Sequence, residues 1–186
     1  MTPARTGTEP ARCVAFLRAI NVGGHVVKMA DLRAIFESLR LRNVETFIAS
    51  GNVIFDAPAG DTAALESVIE ERLRKKLGYD VATFLRTPAE LATAIATPFA
   101  LDDSGHALWV GFVKTTLAAD ATSRLLALAT EVDAFHVAGR EVYWRRAVKV
   151  GESKLTGARL ERALAGPSTF RNITTVRKLA AKFDVT

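Results

Sequence analysis

The sequence predicts an α+β protein made of two ferredoxin-like halves. Two observations predict it. Short β-branched or aromatic runs alternate with amphipathic helical stretches in the order βαββαβ over residues 12–86, and a similar order, βαββα plus an extra helix, returns over residues 105–186. Between them, residues 87–97 read as a linking helix, and residues 1–11 as a flexible tail. With 49% of its 186 residues hydrophobic and 24% charged, the chain has the balance of one that buries a core.

The first element is Cys13-Val14-Ala15-Phe16-Leu17, an apolar run suited to a strand covered on both faces. Asn21-Val22-Gly23-Gly24-His25 breaks it, because paired glycines cost too much entropy inside a regular element. Met29, Leu32, Ile35, Phe36 and Leu39 then recur at helical spacing, giving a helix over about 29–40. Glu45-Thr46-Phe47-Ile48-Ala49 and Val53-Ile54-Phe55 follow as a tight hairpin turning at Ser50-Gly51-Asn52. Leu65, Val68, Ile69, Leu73 and Leu77 set a second helix, closed by Gly78, before a strand over 81–85. Both helices are expected on one face of the sheet.

Thr87-Pro88-Ala89-Glu90 reads as a capping box with proline at the first helical position. The second half opens with a strand over 107–113 and a helix over 120–130. A hairpin of 132–137 and 142–145 turns at Ala138-Gly139-Arg140, and helices are expected over 153–164 and 174–183.

Cys13 is the only cysteine, so an intrachain disulfide or a cysteine-based zinc site is excluded and a core thiol is expected. No apolar run approaches the roughly 20 residues needed to span a bilayer, and the start of the chain has no apolar leader; a cytoplasmic protein without membrane partners is the expectation. Formal charge is unevenly placed. Residues 1–139 hold 14 Lys/Arg against 16 Asp/Glu, whereas residues 140–186 hold 11 against 4. Such a field attracts phosphate-bearing partners, although a solvated helical surface has the same composition.

Leu17-Arg18-Ala19-Ile20-Asn21-Val22-Gly23-Gly24, Lys28-Met29-Ala30-Asp31-Leu32-Arg33 and Ser50-Gly51-Asn52-Val53-Ile54-Phe55 together resemble the N-terminal signature of domain-of-unknown-function family 1697, a family of bacterial α+β proteins. Thr169-Phe170-Arg171-Asn172-Ile173-Thr174-Thr175-Val176-Arg177-Lys178-Leu179 resembles its closing signature. The resemblance implies two α+β halves of ferredoxin-like character and implies no activity. The sequence departs from the family pattern at Ala19, where glycine is usual, at His25-Val26-Val27, which replaces a more polar segment, and at Ile173, a place often held by tryptophan.

Several groups of residues can carry chemistry. Arg18, Asn21, Gly23, Gly24 and Lys28 join a strand end, a glycine loop and a helix start, an arrangement that brings backbone N–H groups and cations toward an anion. An ordinary turn with an arginine paired to a carboxylate is the plainer alternative. Ser50 and Asn52 flank the hairpin glycine and either bond to the turn or form the rim of a pocket beside the Asn21 loop. Arg171, Asn172, Thr175 and Lys178 lie at the start of the last helix, as a phosphate site or as a capped helix with solvated cations. Near Gly151, Ser153 reads as an N-cap and Lys154 as a ligand contact; the P-loop pattern is absent.

Other sets are weaker. His25, His106 and His136 are scattered without metal-ligand spacing, and no metal or cofactor is expected. Glu70-Glu71 and Asp102-Asp103 read as solvated carboxylates. Phe16, Phe47, Phe55 and Tyr143-Trp144-Arg145-Arg146 read either as core or as a base-stacking sheet surface. The leading functional expectation is a phosphate-bearing ligand, nucleotide or nucleic acid, in a cationic cleft between the Arg18–Lys28 loop and the Arg171–Lys178 helix start. An enzyme acting on a phosphorylated small molecule, with Thr175 or Ser153 as nucleophile, and a protein-interaction domain without a ligand are the alternatives. Oligomeric state is left open.

Overall fold

Strand β1 (Ala11–Leu17) is the centre from which the first sheet is built. In the computed structural model, which describes residues 11–21, 26–48, 51–58, 60–99, 106–147 and 155–184, the chain forms two compact units that divide between Thr87 and Pro88. The first unit continues as α1 (Met29–Glu37), β2 (Arg42–Thr46), β3 (Asn52–Ala57), α2 (Thr62–Leu77) and β4 (Thr83–Arg86). Its antiparallel sheet has the order β2-β3-β1-β4, the split βαβ arrangement in which β3 is inserted beside β1.

Alternation on β1 decides the two faces. Cys13, Ala15 and Leu17 join Val53, Phe55 and Leu85 in one apolar cluster with Leu32, Ile35 and Phe36 of α1 and Ile69 and Leu73 of α2. Val14, Phe16, Ile54 and Phe84 lie on the other face and are also fully buried. The helices therefore share one face, as the three-and-four spacing of their apolar residues requires. Helix α2 is the best defined by sequence. The Asp61 side chain accepts from Ala63 N at 2.9 Å, and Gly78 (φ 82) ends it by donating from its N–H to Arg74 O at 2.9 Å.

The first hairpin corrects the expected one. Strand β2 begins at Arg42 rather than Glu45, with a register shift between Arg42 and Glu45 and Asn43 at φ 49. Ile48 (φ 56) and Gly51 (φ 73) both take left-handed backbone, so the connection is wider than the expected Ser50-Gly51-Asn52 turn. Helix α1 also stops before the expected Arg40, where the chain reaches φ 62.

The second unit runs α3 (Pro88–Ile95), β5 (His106–Phe112), α4 (Ala119–Leu126), β6 (Asp133–Ala138), β7 (Glu141–Ala147), α5 (Gly157–Leu164), β8 (Thr169–Asn172) and α6 (Ile173–Ala181). Its sheet has the order β6-β7-β5-β8, the same as the first. The expected βαββα is thus a complete βαββαβ: β8 was missed because its four residues, TFRN, show no apolar alternation, yet they pair with β5 from Trp109 to Phe112. Helix α5 begins at Gly157, with the Thr156 hydroxyl accepting from Arg159 N at 3.3 Å, in place of the expected start at Ser153; Ser153 itself lies outside the described residues.

Aromatic packing fills one face of this sheet. Phe135 stacks on Trp144 at 6.1 Å, and Trp144 meets Phe170 edge-on at 6.2 Å. Phe170 lies over Gly111 of the neighbouring strand, where a Cβ would come within 2.4 Å of the ring. On the other face Tyr143 donates its hydroxyl to Ala94 O at 3.2 Å, Arg140 pairs with Glu90, and α3 packs on α6. Among the described residues no helix is long and apolar enough to cross a membrane.

Candidate functional site

Of the residues the sequence singles out in the first unit, Gly23, Gly24 and Ser50 lie outside the described residues. Arg18 follows the end of β1, and its backbone N–H donates to Ala82 O at 2.8 Å. Asn21 sits at φ 58, and its Oδ1 accepts from Val27 N at 2.6 Å, which ties the two ends of the loop together. Lys28 is the N-cap residue of α1 and is exposed. Val26, two residues before it, is 87% exposed.

Asn52 has a different place from the rim proposed for it. It is fully buried, and its Nδ2 donates to Phe47 O at 3.1 Å while Phe47 N donates back to Asn52 O at 2.9 Å. The side chain holds the hairpin from inside. Gly51 explains the glycine beside it: a Cβ there would lie 3.1 Å from Ile20 Cβ and 3.2 Å from Leu17 O, and its own carbonyl accepts from Leu17 N at 2.8 Å. The hairpin therefore rests against the chain as it leaves β1. Ala19, close by, is held at φ 59, a conformation that favours glycine.

In the second unit Arg171 lies at the β8–α6 junction, whereas Lys178, expected at the helix start, sits in the last turn of α6. Asn172 is the N-cap of α6, its Oδ1 accepting from Thr174 N at 2.9 Å. Arg171 precedes it on β8, opposite Val110, and donates from Nη1 to Thr169 Oγ1 at 2.7 Å and to Phe170 O at 3.0 Å. The residue is half-buried, and burial pulls its guanidinium down to about 10, which leaves it charged at neutral pH. Thr175 is half-buried one turn further on, and Lys178 is exposed in the last turn. Lys154 lies outside the described residues.

Other sequence candidates take structural places. Phe16 and Phe55 are fully buried, and Trp144 is engaged by Phe135 and Phe170, so these rings fill the core instead of offering faces for base stacking. Cys13 is buried, its thiol 3.7 Å from Ala11 O. Among the described residues no group of His, Cys, Asp or Glu is arranged to hold a metal ion.

The structure also shows polar residues that sequence reasoning missed. Arg86 ends β4, beyond the expected strand, and is fully buried with Nη1 donating to Leu85 O at 2.8 Å. Glu70, read as solvated, instead accepts from Thr83 N at 2.7 Å, and Glu66, 2% exposed, accepts from Leu85 N at 2.7 Å. The available signal was their spacing: both glutamates lie four apart, beside the apolar stripe of α2.

A family model described as a protein of unknown function, DUF1697, matches residues 11–143. This chain belongs to the DUF1697 family. The match to DUF1697 ends at Tyr143, before the β8–α6 junction. No curated protein matches the chain. Among solved structures, a conserved bacterial protein, SP0830 from Streptococcus pneumoniae, superposes with a TM-score of 0.76 over 94% of this chain and 99% of its own, at 21% identity. At that identity the likeness concerns the fold. Within the DUF1697 signature, Asn21, Gly51 and Asn52 have roles in shaping the loops.

Proposed function

We propose that the protein binds a phosphate-bearing ligand, a nucleotide or nucleic acid, through cations at two segments: Arg18 and Lys28 in the first unit, and Arg171 and Lys178 in the second. The observation that carries the reading is Arg171. Half-buried on the strand that enters the Asn172-capped start of α6, it keeps its charge at neutral pH close to the positive end of that helix's dipole. The planar donors of a guanidinium suit a phosphate oxyanion. The basic balance of residues 140–186, 11 Lys/Arg against 4 Asp/Glu, supports the same ligand class.

Asn21, Asn52 and Asn172 enter this reading as residues that set loop and helix geometry, and Thr175 as a half-buried hydroxyl in the first turn of α6. A thermal-shift series with inorganic phosphate, ADP and a mixed-sequence RNA oligonucleotide tests it, because a ligand that binds only the folded state raises its melting temperature. At least one of these probes is expected to raise the melting temperature, and Lys178→Gln to reduce that rise. Absence of a shift with all three would overturn the proposal. Whether one ligand engages both segments is read from Lys28→Gln and Lys178→Gln separately and together, since sites sharing a ligand give non-additive losses.

A further inference from the structure

Within the second unit a cavity of about 370 Å³ opens between the turn that joins α4 to β6 and the start of α5. Small-molecule pockets begin at about 300 Å³, so the space suits a ligand of modest size. Leu128, Val132 and Leu155 give it an apolar wall, and Glu131 and Arg159 bring one charge of each sign to its lining.

The turn is braced from inside. Thr130 N donates to Asp133 O at 2.9 Å, while the Thr130 hydroxyl accepts from Asp133 N at 3.1 Å and from Val132 N at 3.2 Å. Asp133 also lines the cavity but is 2% exposed, its Oδ1 accepting from Trp144 Nε1 at 2.7 Å and its Oδ2 from the Thr130 hydroxyl at 3.3 Å. Its carboxylate is thus part of the wall, and the exposed Glu131 is the acid on offer to a ligand. On α5, Arg159 gives its backbone N–H to the Thr156 hydroxyl at 3.3 Å, so its exposed guanidinium is what it presents to the cavity. Among the described residues Glu131 and Arg159 do not pair with each other. Opposite charges that line one cavity without closing on each other suit a ligand that carries both.

We infer that this cavity binds an aliphatic α-amino acid, with Arg159 on the carboxylate, Glu131 on the ammonium group and Leu128, Val132 and Leu155 around the side chain. A guanidinium meets a carboxylate through two parallel N–H groups, and hydrogen bonds between charged partners are the stronger kind. A simple amine or fatty acid answers only one of the two charges, and a phosphate would meet the like charge of Glu131. The site shares no residue with the cations proposed to hold phosphate.

Titration calorimetry of the full chain with leucine, isoleucine and valine tests the inference, beside two leucine analogues: 4-methylpentanoate, which lacks the ammonium group, and isoamylamine, which lacks the carboxylate. At least one amino acid is expected to bind, and for leucine removal of either charged group is expected to weaken binding about tenfold or more, the size of a lost charged hydrogen bond. Arg159→Gln is expected to weaken the amino acid by a similar factor while leaving isoamylamine unchanged, and Glu131→Gln to do the same while leaving 4-methylpentanoate unchanged. Both side chains are exposed, so these variants are expected to fold. Absence of binding by all three amino acids would overturn the inference, and so would wild-type affinity in both variants. None of these outcomes depends on phosphate binding.

Discussion

In the first unit a sixteen-residue helix, α2, lies along its sheet and supplies two carboxylates to the last strand; in the second the corresponding helix, α5, has eight residues, and the strand that follows it leads directly into α6. The strand order is the same in both. Polar side chains complete the first unit, through Glu66, Glu70 and Asn52, whereas a row of aromatic rings completes one face of the second, with α3 and α6 packed together on the other. The difference teaches that one topology leaves each unit a different free design element. The first uses its strand-edge polar groups for closure. The second places Arg171 at a strand–helix junction and Lys178 in the last turn of the helix that follows.

The comparison is broken most directly by removing a carboxylate. Glu66→Ala leaves the Leu85 N–H buried without its acceptor and is expected to cost about 3 kcal/mol in urea unfolding, while Glu66→Gln costs about 1 kcal/mol or less. Equal losses would show that the charge, rather than the acceptor, matters. In the second unit, burial, aided by the nearby charge of Glu141, pushes the Tyr143 hydroxyl up to about 12. The unfolded chain ionises near 10, so this contribution is whole below pH 10 and is lost as pH climbs toward 12. The loss is about 2 to 3 kcal/mol, absent in Tyr143→Phe, as read by unfolding free energies at successive pH values.

Smaller effects sharpen the account of the loops. Gly51→Ala combines a left-handed backbone with contact against Leu17 and Ile20 and is expected to destabilise by about 2 kcal/mol. Ala19→Gly relieves φ 59 and is expected to stabilise by about 0.5 kcal/mol, the gain being reduced by the entropy of an added glycine. Chemical unfolding measures both, and a loss of stability in Ala19→Gly would contradict the reading of this loop.

What could be read from the sequence follows physical strength of signal. Helix α2 was legible at both ends because Asp61 and Gly78 flank a sustained apolar stripe, and α3 because Pro88 fixes its first turn. The core positions of β1 were legible because a run of apolar residues has few places to go. Strand β8 was not: Thr169-Phe170-Arg171-Asn172 owes its strand conformation to pairing with β5, a long-range contact with no local mark. The same holds for Glu66 and Glu70, whose partners lie on a strand that the sequence places only after the helix is built, and for Asn52, whose burial depends on the hairpin closing around it. For the candidate site, the segments that carry cations were legible as motifs, while the strand that carries Arg171 required its pairing with β5.

The most direct measurement of the proposed function is the affinity of the RNA oligonucleotide and of ADP, across a series of salt concentrations, for the wild type, Lys28→Gln and Lys178→Gln. Both lysines are exposed, so these variants are expected to fold as the wild type does. Each substitution is expected to weaken binding of the preferred probe and, for RNA, to lower the slope of log affinity against log salt by about 1, the signature of one lost phosphate contact. Wild-type affinity and slope in both variants, or no measurable binding of either probe to the wild type, would contradict it.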